Sequence, residues 1–182
     1  PTDVLETGHD ILFFWVARMM MMGIHFTGEP PFHTIFLHGM IRDEHGNKMS
    51  KTRENVIDPL HIVHGSNADE VSGQFKKQYP DGLPALGADA LRFTLAAMSA
   101  NGGDIKLSID RILGYRALAN KVWNAARFAL MRLEGATPPP LSEIQADLID
   151  ADHFILSRLA LAAEETSNAL DNYRIADAAN IL

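Results

Sequence analysis

The chain reads as an α/β unit followed by a mostly α one, and three observations predict this. Early on, short β-branched or apolar runs alternate with a helical run and a polar loop. The order strand, helix, strand, loop, helix is that of a parallel α/β sheet. Beyond Asn67 the apolar residues recur at steps of three and four, the helical signature. The proline-rich stretch 135–140 then separates two long runs of such stepping, which predicts an antiparallel helical bundle.

Taken in order, residues 3–6 form a short strand, and Thr7-Gly8-His9-Asp10 turns the chain into a helix over 11–25. Gly28-Glu29-Pro30-Pro31 breaks that helix before a buried strand, Thr34 to His38. A polar loop over 42–55 carries the turn signal Gly46-Asn47. Asp58-Pro59 opens the next helix, with Asp as cap and Pro at the first helical position. Residues 89–100 place Leu91, Leu95 and Met98 on one face, and Asn101-Gly102-Gly103 stops them. Ile112, Tyr115, Ala119, Val122, Ala126, Ala129 and Leu133 step along one long helix, with Trp123 expected to be substantially buried. Ile155, Leu159, Ala162, Ala169 and Tyr173 step along another, with polar Thr166 filling the gap. The pattern begins at Pro1 and ends inside a helical run at Ile181-Leu182, which leads us to expect a piece of a longer protein.

A hydrophobic content of 47% over 182 residues supports one or two cores, and 21% charged residues argues against general disorder. There is no cysteine, so disulfides and thiolate metal sites are excluded and a reducing, cytoplasmic setting is compatible. The apolar run from Ile11 to Ile24 is interrupted by Arg18 and reads as too short to span a bilayer, so no membrane partner is expected. A net charge of −7 lacks the basic face of a free-standing nucleic-acid module, and no DNA partner is expected. Eight histidines invite a metal reading, His61 and His64 among them. No zinc-protease signature or acidic calcium loop accompanies them, and no protein-bound metal is expected.

Lys48-Met49-Ser50-Lys51 places two ammonium groups three residues apart on a loop after a buried strand, where α/β sheets bind ligands. A lysine is a mobile point charge with three donors, suited to a polyphosphate whose charge grows as a bond breaks. As a bare spacing, two nearby lysines are more often solvated surface. Neither a Walker pattern nor a dinucleotide glycine fingerprint is present.

The wider string is more specific. His38-Gly39-Met40-Ile41-Arg42-Asp43-Glu44, then Gly46, then Lys48-Met49-Ser50-Lys51, then Asn55-Val56-Ile57-Asp58-Pro59 resembles the C-terminal half of the Rossmann-like nucleotide-binding fold of class I aminoacyl-tRNA synthetases. Thr7-Gly8-His9-Asp10-Ile11-Leu12-Phe13-Phe14-Trp15-Val16-Ala17-Arg18-Met19 looks like the valine-specific branch in particular. Asp89-Ala90-Leu91-Arg92-Phe93 and Asn120-Lys121-Val122-Trp123-Asn124-Ala125-Ala126-Arg127-Phe128 extend the resemblance through nearly the whole chain. After the second lysine the family loop commonly continues with serine, then leucine or a basic residue, then glycine. Here it reads Thr52, Arg53 and Glu54, so an anion stands in the glycine's place. His9 is assigned no role.

The resemblance implies roles by position. Asp10 matches the acid that meets the ATP ribose, beside Gly8; a helix N-cap is its plain structural alternative. Ile11 and Trp15, four apart on one helix face, match the walls of the amino-acid pocket, with ordinary core packing as their alternative. His38, Gly39 and Met40 match the strand end against adenine. Ser50 belongs to the ATP loop, Lys51 matches the lysine that binds the phosphates, and Lys48 assists it. By the same resemblance, residues 1–63 are the C-terminal part of the catalytic domain, 64–106 a connecting, stem-contact-like module, and 107–182 the start of a helical anticodon-binding domain. The implied reaction activates valine with ATP and its Mg²⁺ to valyl-adenylate and transfers it to tRNA(Val). The family's first signature motif is not in this sequence, so the chain alone is expected to be inactive. A non-catalytic helical tRNA-binding or interaction module, or a related enzyme for isoleucine or leucine, are the alternatives.

Overall fold

The structure, a computed structural model, describes residues 1–71, 73–99 and 103–182. Strand β1 (Val4–Gly8) leads into a 3-10 turn (His9–Ile11), a π-helical segment (Leu12–Val16) and helix α1 (Ala17–Thr27). Strand β2 (Thr34–His38) lies parallel to β1, with Val4 opposite Thr34 and Gly8 opposite His38. The helical crossover that returns the chain to a parallel neighbour is what parallel pairing requires. Thr7 and Gly8, expected in a turn, thus extend the first strand to a length that matches the second. Gly28 ends α1 at φ 78, the left-handed conformation that terminates helices.

Gly39 and Met40 carry the chain straight from β2 into β3 (Ile41–Arg42). After the polar loop, α2 (Pro59–His64) begins as its sequence predicts: the Asp58 carboxylate accepts from the Leu60 N–H at 2.8 Å, with proline in the first turn. Strands β4 (Ser66–Asn67) and β5 (Gly82–Leu83) pair antiparallel on either side of α3 (Gly73–Gln78). Helix α4 (Ala88–Met98) follows. Its expected stop at Asn101-Gly102 lies outside the described residues. Strand β6 (Ile105–Lys106) then returns to lie parallel to β3. The core gathers Ile62, Leu83, Leu86, Leu91, Leu107 and Ile112 between α2, α4 and the start of the next helix.

That helix, α5 (Ile109–Arg132), is capped by Ser108, whose Oγ accepts from the Arg111 N–H at 3.4 Å. Helix α6 (Asp150–Asp171) follows the proline-rich linker, and the Asp152 carboxylate accepts from the Ile149 N–H at 3.0 Å. Helix α7 (Ile175–Ile181) turns back. Here the packing departs from expectation. Helix α5 packs on α4, while α6 and α7 pack on one another and α7 also lies on α4. The predicted pairing of α5 with α6 is not the contact that organises this part. Trp123 is 70% exposed rather than buried, and Phe128 on α5 and Ile155 and Leu159 on α6 share its exposure. Stepping by three and four identifies an apolar stripe but not the element that covers it: α4 covers the start of the α5 stripe, where Ile112 is buried, and leaves Val122 and Leu133 farther along exposed.

The N-terminal helical run also corrects an expectation. His9–Thr27 is continuous over 19 residues, and by length and composition it is long and apolar enough to cross a membrane. Phe13, Phe14, Met21 and Phe26 along it are exposed. Contiguous exposed apolar surface on this scale marks a contact face.

Ile112 is wholly buried at the centre of the core. Ile112→Ala should cost about 2–5 kcal/mol, the range for a large-to-small change at such a site. Urea unfolding of the chain, followed by far-ultraviolet circular dichroism, measures it; a loss below about 1 kcal/mol would mean that the site collapses around the cavity.

Candidate nucleotide site

The carboxyl ends of β1 and β2 lie side by side, and the sequence-predicted residues Gly8, Asp10, His38, Gly39 and Met40 all fall there. Gly8 sits between two of these side chains. A Cβ on it would stand 2.8 Å from Asp10 Oδ1 and 3.8 Å from His38 Cε1. The carboxylate and the imidazole therefore border one point at the strand ends. Asp10 lies inside the 3-10 turn and caps no helix, so its plain structural reading does not hold. It is exposed, with its carboxylate available to a diol. The His38 ring nitrogen Nδ1 lies 3.0 Å from the Gly39 carbonyl.

Gly39 is held tighter still: a Cβ there would come within 1.7 Å of the Gly103 carbonyl oxygen. This close approach lets the segment before β6 dock on the end of β2. The Met40 N–H donates to Asp104 Oδ1 at 3.0 Å, and the Met40 carbonyl accepts from the Ile105 N–H at 2.9 Å. Asp104 also accepts from Arg42 Nε. The Arg42 guanidinium, with the Met40 amide, holds the Asp104 carboxyl below the usual carboxylate range. Met40's amide hydrogen and carbonyl are thus both engaged by the segment at the start of β6.

The lysine loop is rooted in β3. Arg42 bridges Lys48 in antiparallel fashion, and between them Asp43 and Asn47 close a tight turn through Asn47 O and the Asp43 N–H at 3.0 Å. Beneath the loop lies a pair that sequence reasoning did not single out. Asp43 and Asn55 are each 6% exposed. Asp43 accepts from the Asn47 N–H at 2.7 Å, from Asn47 Nδ2 at 3.2 Å and from Asn55 Nδ2 at 2.9 Å. Asn55 Nδ2 also reaches the Lys48 carbonyl at 3.3 Å, and its Oδ1 accepts from the Ser50 N–H at 2.9 Å. One side-chain amide therefore holds the backbone on both sides of Met49. Burial pushes the Asp43 carboxyl up, but the hydrogen bonds from Asn55 and Asn47 outweigh it and leave the group below its ordinary value.

Past the loop, Ser50 caps the 3-10 turn Lys51–Arg53, its Oγ accepting from the Arg53 N–H at 3.2 Å. Glu54 closes that turn at φ 52, ψ 33. The residue that replaces the family glycine thus keeps a left-handed backbone that favours glycine, with the strain this imposes on a side-chain-bearing residue. Lys48 and Lys51 are exposed, and among the described residues neither ammonium is paired with a carboxylate. Ile11 and Trp15 are 43% and 55% exposed, so ordinary core packing is not their role here. The Arg18 guanidinium lies 5.7 Å from the Trp15 ring centroid and steadies the indole. A cavity of about 320 Å³ opens behind the loop's root, between Asp43, Asn55, Phe75, Tyr79 and Leu107, away from the strand ends.

Comparison with known proteins bears directly on this arrangement. The family model described as tRNA synthetases class I (I, L, M and V) matches residues 1–108. The chain belongs to this family. Over all 182 residues it is 52% identical to a valine–tRNA ligase of Geobacter sulfurreducens, covering 100% of this chain and 18% of that protein. It is 48% identical over the same length to the enzyme of Syntrophotalea carbinolica, again 18% of that protein. A Caenorhabditis elegans valine–tRNA ligase matches at 44% over 200 residues, 19% of its length. The chain thus spans about a fifth of these relatives. A solved structure of Agrobacterium radiobacter LeuRS, in a ternary complex with tRNA and LeuAMS, superposes with a TM-score of 0.75. It covers 98% of this chain and 21% of its own at 22% identity, which establishes the shared mixed α/β and helical fold.

The Asp43 carboxylate carries a pH signature. A depressed folded value means that its contribution is complete above the ordinary aspartate range and is lost as pH falls through the folded value. The Asn55 side-chain amide resonances should therefore stay constant on acidification through the ordinary aspartate value and move only below it. Movement at or above that value would show that the carboxylate is not held ionised.

Proposed function

We propose that the protein containing this chain activates valine with ATP, forming valyl-adenylate and pyrophosphate, and then esterifies tRNA(Val). The observation that carries this is the presence of a strand-end carboxylate and a rooted two-lysine loop in a chain 52% identical along its whole length to a valine–tRNA ligase. The leucine and isoleucine readings are not favoured by relatives of that name and similarity.

In this mechanism Asp10 accepts from the ribose hydroxyls, and Gly8, His38, Gly39 and Met40 lie against adenine. The valine carboxylate attacks the α-phosphorus, the bond to the bridging oxygen breaks, and pyrophosphate leaves with the negative charge. Lys51, assisted by Lys48 and the Ser50 loop backbone, meets that growing charge, with the Mg²⁺ that accompanies ATP. No protein nucleophile is needed; positioning and charge stabilisation carry the step. Ile11 and Trp15 line the valine side-chain pocket.

The Rossmann-like reading of residues 1–63, the connecting module over 64–106 and the anticodon-binding bundle from 107 belong to the same proposal. In support, the family match ends at Ser108, the cap of α5. The exposed apolar stripes of α5 and α6 suit helices supplied by the rest of a protein about five times longer.

Valine-dependent ATP–pyrophosphate exchange tests the proposal. The full-length protein should support it and the 182-residue chain alone should not; full-length protein without exchange would end the reading. In the full-length protein, Lys51→Ala should slow single-turnover adenylate formation roughly 10²–10³-fold, the loss typical of one transition-state donor. The dissociation constant for ATP should rise far less, since the contact is made as the bond breaks. Weakened ATP binding with an unchanged rate at saturation would make Lys51 a ground-state anchor instead. Trp15→Ala should enlarge the pocket and shift relative activation toward isoleucine, within the about 1–3 kcal/mol that one methylene is worth there. An unchanged valine-to-isoleucine ratio would remove both Trp15 and Ile11 from the pocket.

A further inference from the structure

The buried amide of Asn55 does more than fill space. Its Oδ1 accepts from the Ser50 N–H and its Nδ2 donates to the Lys48 carbonyl, so a single planar group spans the backbone between the two lysines. An isolated asparagine amide can turn over and exchange its oxygen with its nitrogen. Here it cannot do so at equal energy, because Asp43 Oδ2 stands 2.9 Å from Nδ2 and a carboxylate only accepts. Asp43 is fixed in turn by both Asn47 donors. The chain of orientation runs from Asn47 through Asp43 and Asn55 to the loop backbone.

We propose that Asn55, oriented by Asp43, is a positioning residue for amino-acid activation. It fixes the backbone at Lys48 and Ser50 so that the Lys48 and Lys51 ammonium groups converge on the departing pyrophosphate, without itself touching ATP. This rests on the reading of the lysine loop given above. A rooted loop limits where the lysines can reach, and a displacement of about 1 Å in a group that stabilises a transition state is enough to cost about 10²-fold in rate. The side chain is thus a rate determinant hidden under the loop rather than a residue of the substrate surface.

The test uses the full-length protein and five variants: Asn55→Ala, Asp43→Asn, Lys51→Ala, Asn55→Ala combined with Lys51→Ala, and Asp43→Asn combined with Asn55→Asp. Three quantities are read: the single-turnover rate of adenylate formation, the dissociation constant for ATP, and the rate of transfer from preformed adenylate to tRNA. Asn55→Ala should slow adenylate formation roughly 10–100-fold, with ATP affinity within about threefold and transfer unchanged. The double variant should fall well short of the product of the two single losses, because Asn55 acts through the lysines and one of them is already gone. Asp43→Asn replaces one of the two accepting oxygens with an amide nitrogen that must face a donor, and should reproduce the same pattern more weakly. It also serves as the readout if Asn55→Ala does not fold. The reciprocal pair Asp43→Asn with Asn55→Asp restores a donor facing an acceptor and should recover part of the rate. Losses that multiply in the double variant, or that fall equally on transfer, would overturn the positioning role while leaving the lysine reading intact. An undiminished rate in Lys51→Ala would instead show that the reading of the loop itself is at fault.

Discussion

A carboxylate taken out of water must find donors or be neutralised, and this constraint at Asp43 governs the part of the molecule where chemistry is placed. Desolvation alone would push the group toward its neutral form, which could accept fewer hydrogen bonds. Three donors from Asn47 and Asn55 reverse the balance. Because those donors belong to residues on both sides of the lysine segment, satisfying the charge also fixes the loop. Among the described residues the exposed lysines have no carboxylate partner, and it is their backbone that is held, from below, by a buried group.

The second constraint is the docking of the segment before β6 on the end of β2. Gly39 has no side chain, so the Gly103 carbonyl can occupy the space, and Asp104 then receives the Met40 amide and the Arg42 guanidinium. The strand ends and the loop root are thus tied to one another through Arg42. It bonds Leu107 and Asp104 on one side and stands opposite Lys48 on the other. The proposed adenine edge and the proposed phosphate edge share a single two-residue strand as their common support.

Much of this was legible in the sequence where local chemistry decides the outcome. The strand Thr34–His38 was placed at both ends by its β-branched and apolar run, and the cap Asp58 with Pro59 by the helix start rule. The lysine loop was located by its motif. The clamp beneath it was not, although Gly46-Asn47 signalled a turn; nothing local shows that Asn55 folds back under the loop. Asp104 was out of reach for a plainer reason, since it lies 64 residues from Met40. The stepping of α5 correctly gave a long helix but wrongly buried Trp123, because periodicity reports which residues share a face and says nothing of what opposes that face. Ile11 and Trp15 fell on the first helical run as expected, yet that run mixes 3-10, π and α turns, a detail that apolar spacing does not resolve.

The contact between Gly39 and the Gly103–Asp104 segment also has a consequence in time. A ribosome delivers the chain from its N-terminus, so the end of β2 and the lysine loop emerge well before their partner. At about 5–20 residues per second, the 64 residues that separate Met40 from Asp104 take roughly 3–13 s to add. Through that interval Met40's amide has no Asp104 to bind, and the edge of β3 lacks β6. During synthesis the edge of β3 therefore stays open while the exposed apolar run His9–Thr27 is already made, a combination that favours chaperone capture or misassembly. Synthesis speed across residues 41–104 would set how long that vulnerability lasts.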